Sequence, residues 1–207
     1  MIGIIDYQGG NLENVKRAFE AFKFKVRILR EPVPIKNIDG LVLPGVGAFA
    51  SAMRQLKESG FISFIKDFIE SGKPFMGICL GIQLLFEKSY EFGVSEGLGI
   101  LKGEVVKFSG VSKVPHIGWN QVEFKKSSNM LKDRIKNGDF FYFVHSYYVV
   151  PDTIDIILTT TSYETKEFVS SIEYNNIFAC QFHPEKSQNN GLIVIKSFGD
   201  MCVNTSN

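Results

Sequence analysis

A chain of 207 residues is long enough to bury a substantial core and of a size that fits one domain. Its hydrophobic fraction of 44% and charged fraction of 22% are ordinary for a globular protein. The formal net charge of +1 excludes the global basic field of a nucleic-acid binder, and no acidic tail offers itself to a basic partner. The densest basic stretch, Lys126, Lys132, Arg134 and Lys136, is broken by Asp133 and reads as solvated surface.

The chain runs at once into the apolar residues Ile2, Ile4 and Ile5, without a basic leader or a cleavage site. No apolar run approaches the roughly 18 residues of a spanning helix. The expectation is therefore a protein without a signal peptide or membrane contact. Cys79, Cys180 and Cys202 are odd in number and widely spaced, with no Cys-x-x-Cys pair. That pattern argues against a disulfide framework and a zinc site, and a reducing cytoplasm is the default. The three histidines lack His-x-x-x-His spacing, so neither a metal nor a cofactor is expected.

In chain order, a strand is expected over residues 2–6, then a helix capped by Asn11 with the stripe Leu12, Val15, Ala18, Phe19 and Phe22. Strands follow over 25–29 and 40–43, the latter ending in Pro44-Gly45-Val46-Gly47. Helices over 49–58 and 61–71, a buried strand over 75–78 and a helix over 82–87 complete the first half. Strands separated by helices predict right-handed crossovers and a mostly parallel sheet covered on both faces. The second half reads as strands over 105–107, 120–124, 140–149, 156–161, 169–174 and 177–181, a mixed or antiparallel extension of that sheet. A last helix over about 192–201 precedes a polar tail, residues 203–207, expected to be disordered. With no repeat and no linker, the expectation is an α/β fold in one domain over 1–207.

The most informative stretch is Gly77-Ile78-Cys79-Leu80-Gly81. A strand ends, a cysteine sits at the turn and a helix begins, which is the cysteine form of a nucleophile elbow. A free thiol is only a few per cent thiolate at neutral pH, so a helix N-terminus or an imidazolium beside it would matter. A buried structural cysteine is the alternative, and the two flanking glycines speak against it for Cys79. Cys180 and Cys202 lack that context.

His183-Pro184-Glu185 follows the last apolar strand. Proline pushes the preceding residue into extended backbone, where positions i and i+2 share a side, so Glu185 can orient His183. Cys79, His183 and Glu185 then form a nucleophile, base and orienter. A loop histidine beside a solvated glutamate is the other reading. Leu80, next after the nucleophile, offers an oxyanion donor. Pro44-Gly45-Val46-Gly47 is either a source of the second donor or an ordinary βα turn; it is not a phosphate loop, since no Gly-Lys-Ser/Thr follows.

Together these segments resemble the class I, triad-type glutamine amidotransferases. The resemblance covers nearly the whole chain. It rests on Asp6-Tyr7, Gly10-Asn11-Leu12, the Pro44–Phe49 and Gly77–Phe86 segments, and Gln181-Phe182-His183-Pro184-Glu185-Lys186-Ser187. Pro115-His116-Ile117-Gly118-Trp119-Asn120 and Tyr142-Phe143-Val144-His145-Ser146-Tyr147 point further, to the glutaminase subunits of imidazole glycerol phosphate synthases. Ile82, where the family commonly has methionine, is a mild departure.

The resemblance implies a flavodoxin-like amidotransferase fold and a Cys-His-Glu glutaminase. It implies oxyanion donors from Val46, after a partner-induced peptide flip, and Leu80. Glutamine would be held by Gly47, Gln83, Glu91, Ser146 and Tyr147. It further implies a heterodimer in which a (β/α)8 cyclase subunit receives ammonia across a face bearing Asn11, Asn14, Trp119, Tyr142 and Lys186. Trp119 can equally be a core aromatic, and Tyr142 and His145 ordinary strand residues. A paralogue feeding another synthase, such as a sugar-amidating enzyme, and a non-catalytic regulatory domain are the competing functions.

Overall fold

The computed structural model describes residues 1–8 and 11–204. The first half contains β1 (Ile2–Ile5), α1 (Leu12–Glu20), β2 (Val26–Leu29), β3 (Gly40–Gly45), α2 (Phe49–Glu58), α3 (Phe61–Glu70), β4 (Phe75–Cys79) and the short α4 (Leu80–Leu84). The second contains β5 (Lys88–Ser89), β6 (Ser95–Glu96), β7 (Gly103–Lys107), β8 (His116–Gln121), β9 (Glu123–Phe124), β10 (Phe140–His145) and β11 (Tyr147–Pro151). β12 (Ile157–Tyr163), β13 (Lys166–Tyr174), β14 (Ile177–Cys180) and α5 (Gln188–Asn204) complete it.

The main sheet has eight strands in the order β2-β1-β3-β4-β14-β13-β12-β9. Its first five strands run parallel and the remaining pairings are antiparallel. This is the expected α/β architecture with its extension. β1, β3, β4 and β14 are buried along their whole length because both faces are covered, whereas the edge strand β2 carries the exposed Arg27. Ile5, Leu41, Leu43, Phe75 and Ala179 face one core, beneath the aromatic faces of α2 and α3. Ile4, Val42, Met76, Ile78 and Phe178 face the other, against α1 and α5. The period-2 alternation of side chains along a strand divides neighbouring residues between the two cores.

Several boundaries differ from expectation. The run 140–149 is two strands broken at Ser146: β10 pairs with β8 alone, while β11 joins β7, β5 and β6 in a four-stranded sheet. The Ser146 carbonyl there accepts the Phe108 N–H instead of extending the β10 ladder. The run 120–124 is likewise split at Val122. The helix expected over 82–87 starts at Leu80 and ends at Leu84, where the Leu85 and Phe86 N–H groups turn to carbonyls three residues back. Asn11 stands at the N-cap of α1, yet its side chain makes no capping bond. α5 starts earlier than expected and continues through Asn204, so Val203 and Asn204 are helical, with Cys202 buried against the core. Residues 205–207 of the expected tail, and Gly9 and Gly10, lie outside the described residues. No helix among the described residues is long and apolar enough to cross a membrane.

The elbow is a steric necessity. Cys79 has φ = 55°, a region that costs a non-glycine residue roughly 1–3 kcal/mol. A methyl group at Gly81 would collide with the Leu43 carbonyl oxygen, and one at Gly77 would lie 2.9 Å from the Gly81 carbonyl oxygen. Both obstacles are backbone atoms, which cannot swing aside. Gly47 is different: its φ of 96° favours glycine, but nothing lies within 4 Å of an added methyl. Gly81→Ala should therefore lower the unfolding free energy by about 3 kcal/mol. Gly47→Ala should lower it by about 1–2 kcal/mol. Urea denaturation of the two variants checks this; equal losses would contradict the steric account.

Candidate active site

Three adjacent parallel strands deliver the site. Gly45 at the end of β3 pairs with Cys79 at the end of β4, and Ile78 pairs with Cys180 at the end of β14. The residues that follow β3, β4 and β14 therefore emerge side by side at the carboxyl edge of the sheet, where open α/β folds bind ligands. The pocket there has a volume of about 340 Å³. It is lined by Cys79 and His183, by Val46 and Leu80, and by Gly47, Gln83, Glu91, Ser146 and Tyr147. Every nucleophile, base, oxyanion and substrate residue expected from the sequence meets in it except Glu185, which stands behind His183.

His183 is extended, but Pro184–Lys186 form a single 3₁₀ turn, so the expected i, i+2 extended pair is not how the two side chains meet. The turn brings the Glu185 carboxylate back to the ring, with Oε1 2.8 Å from Nδ1. Both side chains are almost fully buried. The carboxylate accepts a hydrogen bond from Nδ1–H, and Nε2 has no hydrogen-bond partner among the described residues. Burial opposes a charge on this ring, but the adjacent Cys79 sulfur and the Glu185 carboxylate outweigh it and raise the His183 pKa to about 10. A histidine held protonated in a pocket is a proton donor for a leaving group, and a cysteine sulfur beside it is the type of nucleophile that attacks carbonyl carbon. The five-residue α4 is too short to add much macrodipole, which corrects the weight that the sequence alone puts on it.

Leu80 and Val46, the residues expected to donate to an oxyanion, both line the pocket. Leu80 opens α4, and the first N–H groups of a helix have no acceptor within it. Val46 is exposed in the pocket lining, just past β3. Glu91 reaches the pocket while its carboxylate accepts the Phe49 N–H at 2.5 Å, capping α2. Among the described residues no group of three or more His, Cys, Asp or Glu side chains could hold a metal ion.

Two further neighbours of the site were not singled out by the sequence. Gln181 is fully buried and donates from Nε2 to the Cys79 sulfur at 3.7 Å. Its signal was its position two residues before His183 at a strand end, which aims both to the same side. His145 lines the pocket as well, closing an inward series with Phe141 and Phe143. Its Nδ1 donates to the Tyr147 carbonyl at 2.9 Å and its Nε2 accepts from His116 Nδ1 at 3.1 Å. His116 Nε2 in turn accepts from Asn120 Nδ2 at 3.3 Å. Burial lowers His145 to about 3 and His116 to about 4, and the pair stays neutral.

The five residues expected at a partner face divide. Trp119 and Tyr142 are cross-strand neighbours on the outer face of β8 and β10, with ring centroids 6.1 Å apart. Lys186 Nζ lies 5.8 Å from the Tyr142 ring centroid. Trp119 is 45% exposed and so is no core aromatic. Asn11 and Asn14 lie together at the start of α1, with the Asn14 N–H donating to the Asn11 carbonyl. α1 also packs against the Pro184–Lys186 turn.

Residues 3–198 match the family described as glutamine amidotransferase class-I. The chain belongs to that family. Among amidotransferase relatives, it is 54% identical over 196 residues to the imidazole glycerol phosphate synthase subunit HisH of Aquifex aeolicus, covering 94% of each chain. The HisH subunits of Caldanaerobacter subterraneus and Pyrococcus furiosus are both 51% identical. They cover 97% and 95% of this chain, and 98% and 97% of their own length. Among solved structures, PurLQS from Thermotoga maritima superposes with a TM-score of 0.76 at 18% identity, over 96% of this chain and 97% of that one. A crystal structure of a glutamine amidotransferase gives 0.73 at 14%, over 98% of both. Those two likenesses show that this amidotransferase has the fold of its class.

The opposite states of the buried histidines set a pH profile. His183, raised above its unfolded value, contributes stability present below about pH 6.5 and lost as pH rises towards 10. His116 and His145, lowered below theirs, contribute stability present above about pH 6.5 and lost as pH falls towards 4 and 3. Glu185→Gln removes a charge that favours protonated His183, so the NMR titration of that ring should move to lower pH. His116→Gln should flatten the acid side of a stability profile measured by urea denaturation between about pH 4 and 7. An unmoved ring titration or an unchanged acid slope would contradict these assignments.

Proposed function

We propose that this chain is the glutaminase subunit of an imidazole glycerol phosphate synthase. It would act as one amidotransferase domain in the cytoplasm and supply ammonia to a (β/α)8 cyclase subunit in histidine biosynthesis. The observation that carries the reading is the convergence of Cys79, His183 and the Glu185-backed ring in one pocket. The full-length similarity to subunits of that name supports the pathway.

Glutamine lies in the pocket with its side-chain amide over Cys79. Gln83, Glu91 and the backbone around Gly47, Ser146 and Tyr147 hold its α-amino and carboxylate end. The Cys79 thiolate attacks the amide carbon, a C–S bond forms, and the carbonyl oxygen takes the charge facing Leu80 N–H and the Val46 peptide. Collapse breaks the C–N bond as His183 gives its proton to the departing ammonia. His183 then takes a proton from water, whose oxygen attacks the thioester and releases glutamate and the thiolate. Glu185 keeps the ring oriented and charged through both halves.

Ammonia leaves across the face where Trp119, Tyr142 and Lys186 cluster, with Asn11 and Asn14 at the start of α1. There the cyclase uses it to close the imidazole ring and release the aminoimidazole carboxamide ribotide. Trp119, 45% exposed, and the partly buried Tyr142 supply the aromatic content in which interface centres are enriched.

Glutamate release by this chain should rise strongly when the histidine-pathway cyclase and its nucleotide ligand are added. Cys79→Ala should cut that release by roughly 10⁴-fold or more. The same variant in the complex should still form product from free ammonium. Loss of ammonia-supported synthesis in a folded variant would overturn the division of labour.

A further inference from the structure

We propose that Gln181 is a positioning residue for the nucleophile, its buried amide donating to the Cys79 sulfur and holding the thiolate in line with His183. The inference deepens the glutaminase reading and rests on it for the meaning of that sulfur.

The amide orientation follows from a single obligate acceptor. The Tyr147 carbonyl oxygen can only accept, and Gln83 Nε2 lies 3.0 Å from it. The second hydrogen on Gln83 Nε2 points to Gln181, also at 3.0 Å, so the Gln181 atom there must be the acceptor Oε1. Gln181 Nε2 is then turned to Cys79 Sγ at 3.7 Å. The flipped amide would set two donors face to face and an oxygen against the thiolate. The same Tyr147 carbonyl also receives His145 Nδ1, so its place is held from both sides. The Gln181 backbone is pinned as well, its N–H donating to the Ser170 carbonyl.

Gln181 is fully buried and is not part of the pocket lining, whereas Cys79 and His183 both line the pocket. An N–H donor to an anion is stronger than one to a neutral group, so the contact favours thiolate over thiol. No bond is made or broken by Gln181. As the C–S bond forms, charge leaves the sulfur and the contact relaxes. Because Gln83 grips Gln181 and also lines the pocket, a substrate seated on Gln83 meets a sulfur already fixed by the same chain of amides.

Gln181→Met keeps the side-chain length and removes the donor. The readout is the rate of Cys79 alkylation by iodoacetamide against pH, followed in parallel by thiolate absorbance near 240 nm. Cys180 and Cys202 stay silent, since burial pushes both thiols well up. Loss of a charge-assisted donor should slow alkylation about tenfold near pH 6.5 and by less than about twofold near pH 10, with the absorbance rise moved to higher pH. A purely structural role would slow the reaction by the same factor at every pH, and that result, or no change at all, would overturn the proposal. Should Gln181→Met not fold, Gln181→Asn, which withdraws the amide by one methylene, is read by the same criterion. Glutamate release by the wild-type chain is assayed alongside. Its absence would sink the glutaminase reading, whereas an unshifted profile with normal wild-type release would sink only the role of Gln181.

Discussion

Everything at the site depends on the parallel pairing of β4 with β14, with β3 on the other side of β4. Cys79 and His183 are 104 positions apart in the chain, and the pairing of Ile78 with Cys180 brings the segments carrying them together. A slip of one residue in that register would reverse which core each side chain entered, and Phe178 and Cys180 would leave the core they share with Met76 and Ile78. Apolar burial on both faces therefore sets the geometry of a polar site at the sheet edge.

Behind the sulfur, one carbonyl organises the polar residues. The Tyr147 oxygen receives Gln83 on one side and His145 on the other. From it, a run of donors leads through Gln83 and Gln181 to Cys79, and another leads back through His145 and His116 to Asn120. Asn120 follows Trp119, the exposed aromatic of β8. In a low-dielectric interior, a fully paired network of this kind is rigid, and an unpaired member would be costly. The reacting edge and the outer strand pair are thus parts of one hydrogen-bonded structure.

The histidines illustrate how environment sets chemistry for a single residue type. His183 has a buried carboxylate on Nδ1 and a sulfur nearby, and it is held protonated. His116 and His145 are buried against each other and against aromatic rings, with a carbonyl and an amide as end partners, and they are held neutral. Placing His183 in the second setting would leave no acid for the leaving group. Placing His145 in the first would set two cations side by side at the pocket wall.

Local sequence determined a good deal by itself. Short continuous apolar runs and helical stripes specified the central parallel strands and their covering helices, because burial on two faces leaves no place for alternating polar residues. Gly77 and Gly81 marked the elbow, since only glycine clears the Leu43 and Gly81 carbonyls. His183-Pro184-Glu185 marked the base and its partner, although the turn that joins them is tighter than an extended reading supposes. What local pattern could not carry was decided by distant pairing. The break at Ser146 sends β10 and β11 to different sheets through partners far along the chain. The capping role of Glu91 on α2, the Gln181 contact with Cys79 and the neutral His116 and His145 pair arise between residues 29 to 102 positions apart. Hydrogen bonds and desolvation depend on which groups the finished fold brings together, and that is settled only when the strands have packed.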